Sequence, residues 1–316
     1  KKYPEKWFWL FPILWTSIEY IRSKGSLGFA WTSLANTQLD FLTLIQNAEI
    51  TGMYGISCWV VFINVLIFYY FVYPYRENIF ILFMIFILPW ITGLWLMPNL
   101  KEEETLMLNV AIVQPNIHLY EKWGIGSENR NINSLLEQSK TAIKKEADLI
   151  VWPETATSTY ILQGNDNYLR RIQNELGGSN LIAGIPYYSY SKKIKKNYNS
   201  AVLLQSGSVK SIYHKLHLVP IAEYIPLSIY FPSLQKLNLG QTNFTSGTEY
   251  TIMNVNDIPL AVMICFESTL PQISRRFVNE GAEVLIYVVN DGWYENAPEP
   301  QQHAKQAIYR AIENRR

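Results

Sequence analysis

Two stretches of 23 residues, 51–73 and 78–100, contain no Asp, Glu, Lys or Arg. About 20 apolar residues cross a bilayer core, so both read as transmembrane helices. The four residues between them, Pro74, Tyr75, Arg76 and Glu77, leave room only for a hairpin. Pro89 in the second run removes a helical donor, and a neighbouring helix can satisfy the carbonyl this frees. Of 27 basic and 26 acidic residues, only eleven fall in the first 100. The first third is lipid-like and the rest has ordinary globular composition. A single soluble domain is excluded.

Residues 7–18 form a third uncharged run, of twelve. Continued through Glu19 to Ile21 it makes most of a span, with Glu19 and Arg22 spaced to pair at its end. Lys1, Lys2 and Lys6 before an apolar run imitate a signal peptide. However, Trp7, Trp9 and Trp15 are bulky for such a segment, and no small-residue cleavage site follows. Residues 25–38, uncharged and glycine-containing, read as a loop on the bilayer surface. Lys1, Lys2, Lys6 and Arg76 on one side nearly balance Arg22, Lys24 and Lys101 on the other. The small difference places the globular part outside the cytoplasm. The chain opens without Met and closes on a helix ending in Arg315 and Arg316, so a piece of a longer protein is expected.

From Met107 short β-branched runs alternate with amphipathic stretches. Strands are expected at 108–114, 148–152, 180–183, 201–205, 260–265 and 283–290. Helices are expected at 131–147, 167–175, 271–280 and 300–314. This alternation is that of a layered α/β fold. The expected architecture is an α-helical membrane segment over 1–105 followed by an α/β domain over 106–316.

A formal net charge of +1 excludes a nucleic-acid binder, which needs an excess of cations facing phosphates. The tract KKIKK at 192–196 reads as a solvated hairpin tip, with an anionic membrane surface as its alternative partner. Cys58 and Cys265 lie too far apart in the chain for a disulfide scaffold. His214 and His217 lack a nearby acidic or thiol partner in sequence, so no metal is expected. No glycine-rich nucleotide motif occurs.

Three loci carry candidate chemistry. Glu154 follows an apparent strand and Pro153, at the carboxyl end where α/β folds place ligands. Lys215 lies among His214, His217 and the downstream Glu223. Cys265 ends a buried apolar strand, with Glu267 two residues on. Singly each has a plain reading: a helix cap, a surface charge, a small buried hydrophobe.

Together, in the order Glu…Lys…Cys, they resemble the nitrilase superfamily. With the preceding spans the chain is more closely similar to the bacterial apolipoprotein N-acyltransferase family. The likeness runs through GFAW (28–31), VQPNI (113–117), WPET (152–155), HLVPIAEYIP (217–226), CFES (265–268), NDGWY (290–294) and the last sixteen residues. It implies a nitrilase-like αββα sandwich with Cys265 as nucleophile, Glu154 as general base and Lys215 as third triad member. Glu223 and Glu267 become supporting carboxylates, and Trp123 a residue of a mobile loop near the site. It further implies a phospholipid acyl donor, a diacylglyceryl-cysteine lipoprotein acceptor, no cofactor and a monomer. The location implied is the bacterial inner membrane, multi-pass, with the catalytic domain in the periplasm. The segment 1–105 would hold the last three N-terminal spans, and the catalytic domain would be cut short at its C-terminus. Phe266 stands where the family commonly has Tyr, and PIAE replaces PFGE. Two other readings stay open: a membrane-anchored amidohydrolase, and a non-catalytic scaffold in which the cysteine is structural.

Overall fold

The computed structural model describes residues 8–25, 27–98, 107–122, 124, 126–164, 166–228, 230–231, 233–234, 243–292, 294 and 298–316. They form two compact units. One is drawn from the first hundred residues with Thr269–Pro271 and Gln301–Arg316; the other holds the remainder.

The helical unit contains α1 (Phe11–Arg22), α2 (Ala48–Val72) and α3 (Arg76–Leu96). Among the described residues α2 and α3 are long and apolar enough to cross a membrane. At 1.5 Å per residue the 12 residues of α1 rise only about 18 Å, short of a span. Only Gly93 of α3 is buried, and much of its apolar surface is exposed, including Phe80, Phe83, Leu88, Ile91 and Leu94. Pro89 cannot donate to the carbonyl of Ile85, and the indole N–H of Trp59 donates to it instead, at 3.0 Å. The neighbouring-helix remedy expected from the sequence is thus present. Gly93 lies under the carbonyl of Thr43; a Cβ there would sit 1.8 Å from that oxygen.

Glu19 does not use Arg22. Its buried carboxylate accepts from Trp15 Nε1 (2.9 Å), Ser33 Oγ (2.6 Å) and the Leu34 N–H (2.9 Å). A carboxylate out of water needs several donors, and the 33–34 turn supplies two of them where Glu19 is buried, while Arg22 is exposed.

The second unit has a five-stranded sheet: β1 (Val110–Ile112), β2 (Leu149–Val151), β3 (Asn180–Ser191), β4 (Ile194–Gln205) and β5 (Ser208–His214), in that order. β1, β2 and β3 run parallel, while β3, β4 and β5 are antiparallel. A three-stranded sheet follows: β6 (Ile252–Val255), antiparallel to β7 (Ile258–Ile264), which is parallel to β8 (Val284–Val288). Helices α4 (Ser127–Lys144) and α5 (Asp166–Glu175) precede and follow β2, and α6 (Pro271–Asn279) joins β7 to β8. Ile132, Leu135 and Leu136 of α4 and Ile172 of α5 bury against Ile150, Leu181 and Val202. β4 of the first sheet approaches β7 of the second. The expected α/β class is the observed one.

The last helix, α7 (Glu299–Asn314), departs from expectation. From Gln301 onward it belongs to the helical unit, not to the α/β unit assigned from 106 to 316. Its Tyr309 and Ile312 complete a core with Ala35, Leu44, Ile45, Met53 and Ile56, and Tyr309 donates to the Ala35 carbonyl at 2.6 Å. Gly52 breaks α2 with φ 63°, freeing the Met53 N–H, which donates to Glu313 of α7 at 2.8 Å. The helix has an apolar stripe because the first hundred residues cover it.

Candidate active site

Four strands of the second unit deliver polar groups at their carboxyl ends: Glu154 beyond β2, Lys215 beyond β5, Cys265 beyond β7 and Asn290 beyond β8. The turn at Glu154 depends on Gly184 of β3. A Cβ at Gly184 would lie 2.4 Å from the Pro153 carbonyl oxygen and 2.6 Å from Glu154 Cα. Thr155, next in the chain, has φ 43°, a conformation that L-residues avoid. Glycine recurs at Lys215: Gly247 donates to its carbonyl at 2.8 Å, and a Cβ there would meet the His214 carbonyl oxygen at 2.3 Å.

These turns bring buried charges together. Lys215 is 1% exposed and Glu154 7%. Lys215 Nζ donates to Glu223 Oε1 at 2.9 Å and lies 3.7 Å from Glu154 Oε1. Asn199 of β4 bridges both carboxylates, donating to Glu154 at 2.7 Å and Glu223 at 3.2 Å. The Asn290 N–H donates to the other oxygen of Glu154 at 3.1 Å, and the Val219 N–H to that of Glu223 at 2.7 Å. Cys265, with φ 51°, interacts electrostatically with both Glu154 and Lys215. Glu267 is fully buried and pins this turn. It accepts from the Ile264 N–H (2.8 Å), the Leu216 N–H (2.8 Å), the His217 N–H (3.1 Å) and Tyr213 OH (2.8 Å). One carboxylate thus fastens the cysteine turn to the segment after Lys215.

Burial opposes the charge on Lys215, but Glu223 and then Glu154 outweigh it and hold its pKa above the usual lysine range. It stays an ammonium. Burial, with the charge of Glu154 added, pushes the Cys265 thiol well up despite the pull of Lys215. The resting sulfur therefore keeps its proton, and a base must take it during attack. Burial also raises Glu267. A second lysine is present: Lys122, 7% exposed, donates to Thr155 Oγ1 at 3.1 Å. Burial lowers it from 10.5 to about 8, against the opposing pull of Glu154. A cavity of about 630 Å³ adjoins these groups, lined by Asn116, His118, Lys122, Pro153, Asn290 and Tyr294.

Glu154, Lys215, Cys265, Glu223 and Glu267 therefore converge; Trp123 lies outside the described residues. The histidines serve packing: His214 stacks on Tyr198 and bonds Ser200 Oγ at 2.7 Å, and His217 stacks on Phe266. The sequence alone points to neither Asn199 nor Lys122, and to Asn290 only as the first residue of NDGWY. Asn199 had a signal, an amide leading into the apolar run 201–204. Lys122 had only its place beside Trp123.

The carbon-nitrogen hydrolase family model matches residues 109–316, and that of the apolipoprotein N-acyltransferase N-terminal domain matches 1–66. An apolipoprotein N-acyltransferase of Geobacter metallireducens is 32% identical over 96% of this chain and 60% of its own length. One from Chlorobaculum tepidum is 31% identical over 96% of this chain and 63% of its own. The chain thus spans about three-fifths of the curated relatives it matches. Among solved structures, a carbon-nitrogen hydrolase from Helicobacter pylori G27 is similar over 65% of this chain and 68% of its own, with TM-score 0.45 and 20% identity. The match over 109–316 takes in every strand of both sheets and each charged group assembled around Cys265, and on it the chain belongs to the carbon-nitrogen hydrolase family.

Proposed function

We propose that the protein is an acyltransferase that moves an acyl chain from a membrane phospholipid to the α-amino group of a diacylglyceryl-cysteine lipoprotein. The observation that carries this reading is the buried Glu154–Lys215 pair, whose charges both act on the Cys265 thiol, in a chain with two helices long and apolar enough to cross a membrane. Similarity to apolipoprotein N-acyltransferases along 96% of the chain supports the choice of substrates.

The chemistry follows from the residues. Cys265 sulfur attacks the ester carbonyl as its proton passes to Glu154. Lys215 stabilises the tetrahedral oxyanion, a contribution that is commonly the largest in acyl transfer. The C–O bond breaks, Glu154 returns the proton to the departing alkoxide, and a thioester remains on Cys265. The acceptor amine then attacks the thioester. Its proton goes to Glu154 and on to the leaving thiolate, giving an amide and free Cys265. Glu223 and Asn199 hold Lys215 and Glu154 in register, and Glu267 holds the cysteine turn. No cofactor is needed.

A phospholipid donor explains the membrane helices. Exposing roughly 30 methylenes to water at about 0.8 kcal/mol each would cost on the order of 24 kcal/mol. A module carried by a bilayer avoids most of this, because donor and enzyme share one phase. The location proposed is the bacterial inner membrane, multi-pass, with the catalytic module in the periplasm and the protein a monomer.

The test is intact mass spectrometry of the membrane-reconstituted protein after incubation with phospholipid. A thioester adduct of one acyl chain, removed by hydroxylamine and discharged by an amine acceptor, is expected. An adduct absent under all donors, or one discharged only by water, would reject the acyltransferase reading.

A further inference from the structure

The KKIKK tract forms the tip of the β3–β4 hairpin. Beyond the Ile185–Ser200 pair, these two strands pair only with each other within the sheet. The arm ends in a turn at Lys192 and Lys193, with Tyr190 67% and Ile194 66% exposed. Tyr160, Tyr188 and Tyr190 form a column of edge-to-face rings, 4.9 and 5.8 Å between centroids. Lys195 Nζ lies 4.2 Å from the Tyr188 ring centre and 5.1 Å from that of Tyr160.

Two features of this tip are not demanded by folding. Lys192 and Lys193 have φ of 49° and 66°. A two-residue hairpin turn with both centres left-handed favours Asn-Gly, and lysine there is strained. The chain keeps two cations where smaller residues would relax. Moreover, residues 190–214 contain five lysines and no Asp or Glu, although the whole chain is nearly neutral. The local charge is strongly positive.

We propose that the tip of the β3–β4 hairpin docks on an anionic bilayer surface, with Lys192, Lys193 and Lys196 on lipid headgroups and Tyr190 and Ile194 in the interfacial layer. Tyrosine concentrates at the bilayer–water interface, and lysines gain there from anionic lipids. The chain's own apolar helices, once in a bilayer, tether the second unit to it. The inference rests on α2 and α3 being in a bilayer and not on acyl transfer, so the two can fail separately. Each lysine near an anionic surface adds about fivefold to the docking equilibrium, hence on the order of a hundredfold for three.

The experiment places a nitroxide at Tyr190→Cys in the full chain, in a Cys58→Ser, Cys265→Ser background, with Ser208→Cys as a label at the start of β5. Proteoliposomes of phosphatidylcholine alone are compared with others containing phosphatidylglycerol. Collision with oxygen reports lipid, and collision with a water-soluble nickel chelate reports water. With phosphatidylglycerol the Tyr190→Cys label should gain oxygen access and lose chelate access, and the Ser208→Cys label should not change. Lys192→Glu, Lys193→Glu and Lys196→Glu together should return the tip to water. Lys192→Asn with Lys193→Gly should relax the turn, raise the thermal midpoint and weaken docking. A label equally wet in both vesicles, or lipid contact unaffected by the triple charge reversal, would overturn the proposal. Protection by added polyglutamate but not by phosphatidylglycerol would overturn it in favour of an acidic protein partner.

Discussion

The two units bury carboxylates for different ends. In the helical unit Glu19 and Glu313 each answer a backbone problem. Glu19 receives the Leu34 N–H, and Glu313 receives the Met53 N–H freed at Gly52 and pairs with Arg310 at 2.9 Å. In the α/β unit Glu267 does the same for the Cys265 turn. Glu154 differs. It takes one backbone N–H and one amide, and it also faces the ammonium of Lys215, the charge of Lys122 and the Cys265 thiol. A buried carboxylate whose oxygens are taken up by fixed donors, with no nucleophile to serve, is a structural pin. One left facing a cation and a nucleophile is placed for proton transfer. Substitutions should separate the two kinds.

The largest effect is expected at the nucleophile. Cys265→Ala should abolish both the acyl adduct and transfer, while Cys58→Ala, on α2, should leave both intact. Transfer at normal rate by the Cys265→Ala protein would refute the assignment. Next come the two charges. Glu154→Gln keeps the shape and removes the base, so acylation should fall about 10²–10⁴-fold, with about 1–3 kcal/mol of stability lost where the new amide N–H faces Asn199 or the Asn290 N–H. Lys215→Met should impair acylation as severely, since a thioether cannot stabilise an oxyanion, and should also destabilise by leaving Glu223 and Glu154 without their ammonium. Near-normal acylation by Lys215→Met would make the lysine a pin, like Glu267.

The pins themselves rank below. Glu267→Gln turns one acceptor oxygen into a donor facing other donors, which should cost about 1–3 kcal/mol of stability. Glu313→Gln should cost a similar amount, measured as denaturation midpoint in detergent. The comparison sharpens on rates: Glu313→Gln should leave the rate of the folded fraction unchanged. Glu267→Gln should slow acylation as far as the cysteine turn shifts, with restored rates at low temperature. Equal rate losses in the two variants would erase the distinction between the units.

Much of this was legible in the sequence because it rests on local pattern. The uncharged runs gave α2 and α3, and alternating β-branched runs gave β2, β7 and β8. The residues at the ends of β2, β5 and β7 stood out as Glu154, Lys215 and Cys265. What escaped depends on tertiary contact. Residues 184–191 and 194–200 carry Gly184, Pro186 and many polar residues, so the long β3–β4 arm was read as two short strands. The apolar stripe of α7 does not say which unit covers it. Asn199 and Lys122 are polar residues whose burial only the folded chain reveals, and Glu19 chose donors 14 and 15 residues away over the nearby Arg22.

Lys122 gives the smallest effect and the one whose sign is least intuitive. Its folded pKa, about 8, lies below its ordinary 10.5 because burial penalises the ammonium. Between those values the unfolded chain binds more protons than the folded one, so stability rises with pH across this window. Below about 8 both states are protonated and the full penalty remains, on the order of 3 kcal/mol. Lys122→Met removes that penalty and loses one hydrogen bond to Thr155, worth about 1 kcal/mol. The variant should therefore be more stable than the parent at pH 7. The gain should shrink as pH rises from 8 towards 10.5, where the parent lysine is already neutral when folded. If Lys122 serves the chemistry through its charge beside Glu154, the same variant should be slower at pH 7 and no longer lose rate above pH 8. Thermal midpoints and single-turnover acylation of Cys265, both measured from pH 6.5 to 10, decide the matter. A variant less stable than the parent throughout, with an unchanged rate profile, would class Lys122 with the pins.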